Sequence, residues 1–209
     1  MEVNNGLMRL FVAIALPPEA ASELDEVVAP LRPSWPEVRW TGVDAWHLTL
    51  AFLGEVDEAL TGKLSRRLKE AARLRPPLSL SLGGAGAFPV SKRARVLWTG
   101  IRGDQRGLSV LATAVGTAAR KAGAPPADRT ERRFQPHLTL ARCRAPVDVT
   151  SLVDTLSGFD GTHWVAREIY LIHSRLGAHP RYEILGSWPL LSASHGSRER
   201  GGGALGSAV

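Results

Sequence analysis

The sequence predicts a fold that mixes strands and helices, α+β or α/β, built as two related lobes. Three observations carry that reading. Apolar residues switch repeatedly between a strand period of two and a helical period, with short connections between segments. The word His47-Leu48-Thr49-Leu50-Ala51 recurs as His137-Leu138-Thr139-Leu140-Ala141, ninety positions later, which suggests two lobes packed about a pseudo-twofold axis. The composition is globular: 209 residues, 44% hydrophobic and 22% charged, which excludes collagen, coiled coil and a wholly disordered chain.

Each element follows from its local pattern. Residues 7–16 form an apolar strand closed by Pro17-Pro18, and Pro18 sits at the first turn of a helix over 18–31. Leu24, Val27, Val28 and Leu31 give that helix its apolar stripe, and Pro33 and Pro36 end it. Val38 to Trp40 is a short strand, and Trp46 to Leu53 a stronger one stopped by Gly54. Residues 57–74 place Leu60, Leu64, Leu68, Ala71 and Ala72 on one helical face. Leu78 to Leu82 alternates as a half-buried strand, and Gly83 to Gly86 reads as a turn. That glycine run fits neither a dinucleotide fingerprint nor a phosphate-binding loop. A strand over 95–101, a helix over 105–121 and a loop over 123–133 lead into a strand at His137 to Ala141. A short helix near 149–157, a long strand over 164–173 and a last strand over 181–190 follow. The expected domain covers residues 1–191, one word per lobe at 47–50 and 137–140, with a Gly/Ser-rich disordered tail over 192–209.

Charge and cysteine content narrow the function classes. Lys and Arg number 26 against 20 Asp and Glu, a net charge of +6 carried mostly by Arg. An Arg fork grips phosphate oxygens in pairs, so a phosphate-rich partner is one reading, and a codon-driven Arg-rich vocabulary the other. The single cysteine, Cys143, allows neither an internal disulfide nor a paired-cysteine metal site and reads as a small buried filler. Leu10 to Leu16 after Arg9 has the outline of a signal peptide, but Pro17-Pro18-Glu19 replaces a cleavage site. No stretch approaches the ~20 apolar residues that span a bilayer, so the expectation is a cytoplasmic protein without a membrane partner. Translation starts at Met1 or at Met8.

The repeated word carries the chemistry. Alternate side chains of a strand share a face, so His47 and Thr49 point one way while Leu48, Leu50 and Phe52 point into a core. His137 and Thr139 stand in the same relation to Leu138 and Leu140. Two lobes about a twofold axis bring the polar faces together across a cleft. Imidazole titrates near 6.5, so one histidine can hold a proton while the other accepts one. One activates a nucleophile and the other protonates a leaving oxygen, while the threonine hydroxyls hydrogen-bond phosphoryl oxygens. No metal and no cofactor is required, and a zinc site lacks a third ligand and an HExxH pattern. Opening of a cyclic or internal phosphodiester fits this pair.

The residues also resemble a known family, the two-histidine phosphoesterases, and within it the RNA 2′,3′-cyclic phosphodiesterases once called 2′-5′ RNA ligases. Beyond the two HxTx words, Arg9 to Ile14 resembles the family's opening strand. WHLTLAFLGEV over 46–56 and FQPHLTLAR over 134–142 resemble its two motif regions. Ser174-Arg175-Leu176 through Tyr182-Glu183 resembles its closing strand pair. The resemblance covers about residues 8–190. It implies a bilobal α+β fold, with two antiparallel sheets, outer helices and a central cleft. It implies hydrolysis of a ribose 2′,3′-cyclic phosphate at an RNA end to a 2′-phosphate, by a monomer. It assigns His47 as proton donor and His137 as proton acceptor; the two words themselves are equivalent.

Four further residues are candidates for substrate binding. Arg142, five after His137, lies on the opposite face by strict alternation unless a bulge swings it round. Arg133, beside Arg129 and Arg132, suits backbone phosphate contacts from a loop. Phe134 and Tyr182 offer rings on which a base can stack, with buried packing the alternative for Phe134. Nucleotides fit the same cleft. Ligation of 2′–5′ bonds and a non-catalytic RNA- or nucleotide-binding module are the competing functions.

Overall fold

The computed structural model describes residues 6–127, 134–175 and 181–191. Among the described residues nine strands and four α-helices follow in the order β1 (Leu7–Ala15), α1 (Pro18–Val28), β2 (Arg39–Trp40), β3 (His47–Asp57), α2 (Thr61–Arg73), β4 (Leu78–Phe88), β5 (Ala94–Gly103), α3 (Gln105–Ala122), β6 (His137–Val147), α4 (Thr150–Ser157), β7 (Trp164–Ala166), β8 (Glu168–Arg175) and β9 (Arg181–Pro189). They make two sheets, a first of order β3-β1-β8-β9 and a second of order β2-β6-β5-β4-β7. Every pairing is antiparallel, so the fold is α+β and not α/β. Each sheet carries one copy of the repeated word.

Each sheet hides one face under helices. α2 and α3 lie on the first sheet, and α1 and α4 reach β4 of the second. Leu10, Val12, Ile14, Leu48 and Leu50 of the first sheet are buried, as are Leu78, Leu80, Leu82, Leu138 and Leu140 of the second. α2 presents Leu64, Leu68 and Ala72 at helical spacing, and α3 presents Leu108, Leu111, Val115 and Ala119. The Asp104 carboxylate accepts from the Gly107 N–H at 2.8 Å to start α3, and Gly123, at φ 91°, ends it in the left-handed region that lacks a Cβ penalty. No helix among the described residues is long and apolar enough to cross a membrane.

Four expectations are corrected. The helix from Pro18 stops at Val28 and tightens into a 3₁₀ segment over Ala29–Ser34, because Pro30 and Pro33 cannot donate to an α ladder. Gly83 to Gly86 is not a turn: β4 runs through it, with Gly84 (φ 68°) as the extra residue of a bulge against β5. Gly86 is there for space, since a Cβ on it would stand 2.2 Å from the Trp98 indole. Gly54 (φ 71°) likewise bends β3 without ending it. The single strand expected over 164–173 is two strands, broken at Arg167: β7 pairs with β4 in the second sheet, and β8 pairs with β1 and β9 in the first. The expected tail over 192–209 lies outside the described residues.

Candidate active site

His47 opens β3 and His137 opens β6, and both are half-buried. Alternation then breaks at the same place in each word. Phe11 pairs with Phe52, Val12 with Ala51 and Ala13 with Thr49, so Leu50 is an extra residue in β3. Leu97 pairs with Ala141 and Trp98 with Thr139, so Leu140 is the extra residue in β6. Both extra leucines are buried. A bulge reverses the facing of everything after it. Arg142 is therefore turned to the face that carries His137 and Thr139, which the alternation alone would forbid. Phe52, five after His47, is turned in the same way, which corrects the expectation that it points into the main core. It joins Phe11, Ala13, Ile172 and Tyr170 in a separate apolar cluster on the side away from α2 and α3, with the Arg9 guanidinium 4.6 Å above its ring.

Aromatic rings wall each imidazole. His47 stacks on Phe11 (centroids 4.6 Å apart, planes at 29°) and meets the edge of Tyr182 at 5.5 Å. His137 meets Phe88 edge-on at 4.9 Å, with Trp98 at 6.2 Å. Phe11, Phe88 and Trp98 escape a sequence reading because cross-strand register, not spacing along the chain, places them there.

The electrostatics are shared. The His137 Nδ1–H donates to the Gln135 carbonyl at 2.8 Å; a carbonyl only accepts, so Nδ1 holds the proton and Nε2 is left with its lone pair. The His47 ring makes the corresponding bond to the Ala45 backbone, again two residues upstream. Burial pushes the His47 pKa down to about 4, and the charges of Arg142 and His137 push the same way against the Ala45 bond. Burial also lowers His137, with Arg142 adding to it. One guanidinium thus acts on both imidazoles, although they stand on different sheets. Thr41 ties the second word in place: its N–H donates to the Leu140 carbonyl at 2.8 Å and its hydroxyl to the Thr139 carbonyl at 3.2 Å.

The remaining candidates separate. Tyr182, 36% exposed, stands at the His47 ring, whereas Phe134 is half-buried and packs against the main core. Arg133, with Arg129 and Arg132, lies outside the described residues, as does His179. His163 is exposed, and His173 Nδ1 lies 3.8 Å from a Glu183 carboxylate oxygen. Cys143 is buried, as expected of a filler. Among the described residues no group of three or more His, Cys, Asp or Glu is placed to hold a metal ion.

Comparison with known proteins supports the fold and gives the family. Residues 14–98 and 102–182 match the LigT like phosphoesterase family. An RNA 2′,3′-cyclic phosphodiesterase of Geobacillus stearothermophilus is 30% identical over 198 residues, 93% of this chain but only 61% of that protein. An Escherichia coli protein of the same name is 35% identical over 185 residues, 87% of this chain and 96% of the relative. The apo crystal structure of E. coli LigT superposes with a TM-score of 0.72 at 31% identity, covering 90% of this chain and 99% of that one. Its complex with 3′-AMP gives 0.68 at 33% identity, covering 88% and 98%.

Proposed function

The chain belongs to the LigT-like phosphoesterase family, and from that premise we propose that it hydrolyses RNA-terminal 2′,3′-cyclic phosphate to a 2′-phosphate, using His47 and His137 as acid and base. One observation carries the reading. Two imidazoles on different sheets, each held by its ring to a backbone group two residues upstream, feel the charge of the same arginine. The relatives' name supplies the substrate class, and the 3′-AMP complex of E. coli LigT supplies the precedent for a ribonucleotide bound by a protein of this family.

In the proposed reaction the cyclic phosphate lies between the two words. His137 Nε2 takes a proton from water as its oxygen bonds to phosphorus. The bond from phosphorus to the 3′ oxygen breaks, and His47 gives that oxygen a proton. The products are a 2′-phosphomonoester and a free 3′-hydroxyl, and no metal enters the balance. Thr49 and Thr139 donate hydrogen bonds to the phosphoryl oxygens, and Arg142 offsets their charge. Both imidazoles are depressed in the empty cleft, while a bound phosphodiester anion acts in the opposite sense. Protonation of His47 is then coupled to substrate binding. Tyr182 offers its exposed ring to the terminal base. With an RNA 5′-hydroxyl in place of water, the same ring opening would form a bond from phosphorus to the 5′ oxygen as the 3′ oxygen leaves, giving a 2′–5′ diester.

The test is substitution of each histidine. His47→Ala and His137→Ala are each expected to lower turnover of a 2′,3′-cyclic dinucleotide by about 10²–10⁴-fold, with affinity for 3′-AMP largely kept. Near-full activity in either variant would exclude the paired mechanism. Binding of 3′-AMP by the wild-type protein with no turnover of the cyclic substrate would favour the reading as a binding module.

A further inference from the structure

The positive charge of the chain is not spread evenly. Residues 61–75 and 105–122, which make α2, α3 and the first turn after α2, contain nine Lys or Arg and a single acid, Glu70. The whole chain has 26 cations against 20 acids, so the remainder, candidate active site included, holds 17 against 19. The net charge of +6 therefore resides entirely in the helical layer, on the side of the first sheet away from His47.

That layer is grooved. Between α2 and α3 lies a cavity of about 580 Å³, rimmed by Arg67, Arg75, Arg106 and Lys121, with Glu70 its only acid. Arg67 pairs with Glu70 at 3.0 Å, both exposed, a contact worth little in water. Arg106 and Lys121 have no acidic partner among the described residues. The Arg75 Nε–H is buried without an acceptor among those residues. The same guanidinium donates through Nη1 to the Leu74 carbonyl at 3.1 Å. Along the α3 wall, Ser109 donates to the Gln105 carbonyl and Thr113 to the Ser109 carbonyl, both at 2.9 Å. Their oxygens are left to accept from the groove, and a ribose 2′-hydroxyl is a donor of matching kind.

We propose that the α2–α3 groove is a second RNA-binding site, which holds the phosphate backbone of a long RNA whose end is engaged in the cleft. This rests on the proposed activity for its partner and adds a specificity: preference for long over short substrates. Arg forks and hydroxyl acceptors favour RNA over a lipid surface, which would ask for an apolar face to insert. The groove does not touch the imidazoles, so it affects affinity and leaves the chemical step alone.

The experiment uses the full chain with Arg67→Gln, Arg106→Gln and Lys121→Gln combined. All three side chains are exposed, and circular dichroism verifies folding. A control removes three cations elsewhere, Arg32, Arg102 and Arg167, by the same substitution. Binding is measured with an RNA of about 30 nucleotides ending in a 3′-hydroxyl, so that no turnover is needed, across a range of salt concentrations. The expected result is an affinity lowered about tenfold or more, and a salt slope smaller by about two, given ~0.7 per single-strand phosphate contact. The control is expected to change neither by as much, and kcat/KM on a 2′,3′-cyclic dinucleotide is expected to stay at the wild-type value. Unchanged RNA affinity, or a loss matched by the control, would overturn the proposal. So would loss of sedimentation with anionic phospholipid vesicles while RNA binding persists. A wild-type protein that binds the RNA through the groove but opens no cyclic phosphate would refute the proposed activity and leave this site standing.

Discussion

His47 lies against Phe11 under the edge of Tyr182, and this burial governs its titration more than any charge does. The fold favours the neutral imidazole, so its pKa falls from 6.5 to about 4. A base depressed in the folded state contributes its full stability above pH 6.5 and loses it as the pH falls towards 4. The urea midpoint is expected to drop between pH 7.5 and 4.5, and to drop less in His47→Gln, which has nothing to titrate. Arg142 disfavours both imidazolium ions. Replacing it by Gln therefore raises both pKa values and moves the pH profile of kcat/KM to higher pH, as well as weakening phosphate binding. Histidine titrations followed by NMR in the empty protein check the same shift without turnover. A profile that stays in place would separate Arg142 from the two rings.

At the scale of elements, the bulges at Leu50 and Leu140 make the candidate site what it is. Each adds one residue after the Thr of its word, and so brings the fifth residue after the histidine, Phe52 or Arg142, round to the histidine's side. The words themselves, α2, α3 and most strands were legible because hydrophobic periodicity is a property of the local chain. The bulges were not, since a buried Leu-Ala pair reads equally as a strand about to end. Nor was the break at Arg167, where one apolar run is divided between sheets by partners distant in sequence. The glycines of β4 misled for a physical reason: Gly86 makes room for Trp98, whose ring leans over it and flanks His137, Gly83 makes room for the Arg102 side chain, and Gly84 takes the positive φ of the bulge. Gly86→Ala is expected to destabilise the protein by about 1–3 kcal/mol through overpacking, and to lower turnover as Trp98 is displaced. Thermal melts and the rate on a cyclic dinucleotide, measured on one preparation, test both.

Across the whole molecule, the pseudo-twofold arrangement turns one strand motif into a two-sided device. Each sheet supplies the histidine of one word, so the proposed acid–base pair exists only when both sheets are in place. The repeat was readable at ninety residues' separation because the same local chemistry is needed twice. The aromatic walls were not, because Phe11, Phe88 and Trp98 enter only through pairing register. The net charge followed a third pattern, legible as a total but not as a location until α2 and α3 were seen to share one face of the first sheet.

The most direct test of the account is hydrolysis of a short RNA ending in 2′,3′-cyclic phosphate, in excess EDTA, from pH 5 to 9, with the product identified. Turnover is expected to survive the chelator, depend on pH, require both histidines and yield only the 2′-phosphate. No turnover at any pH, or activity abolished by EDTA and restored by a divalent metal, would contradict it. A 3′-phosphate product would contradict the assignment of the leaving oxygen to His47.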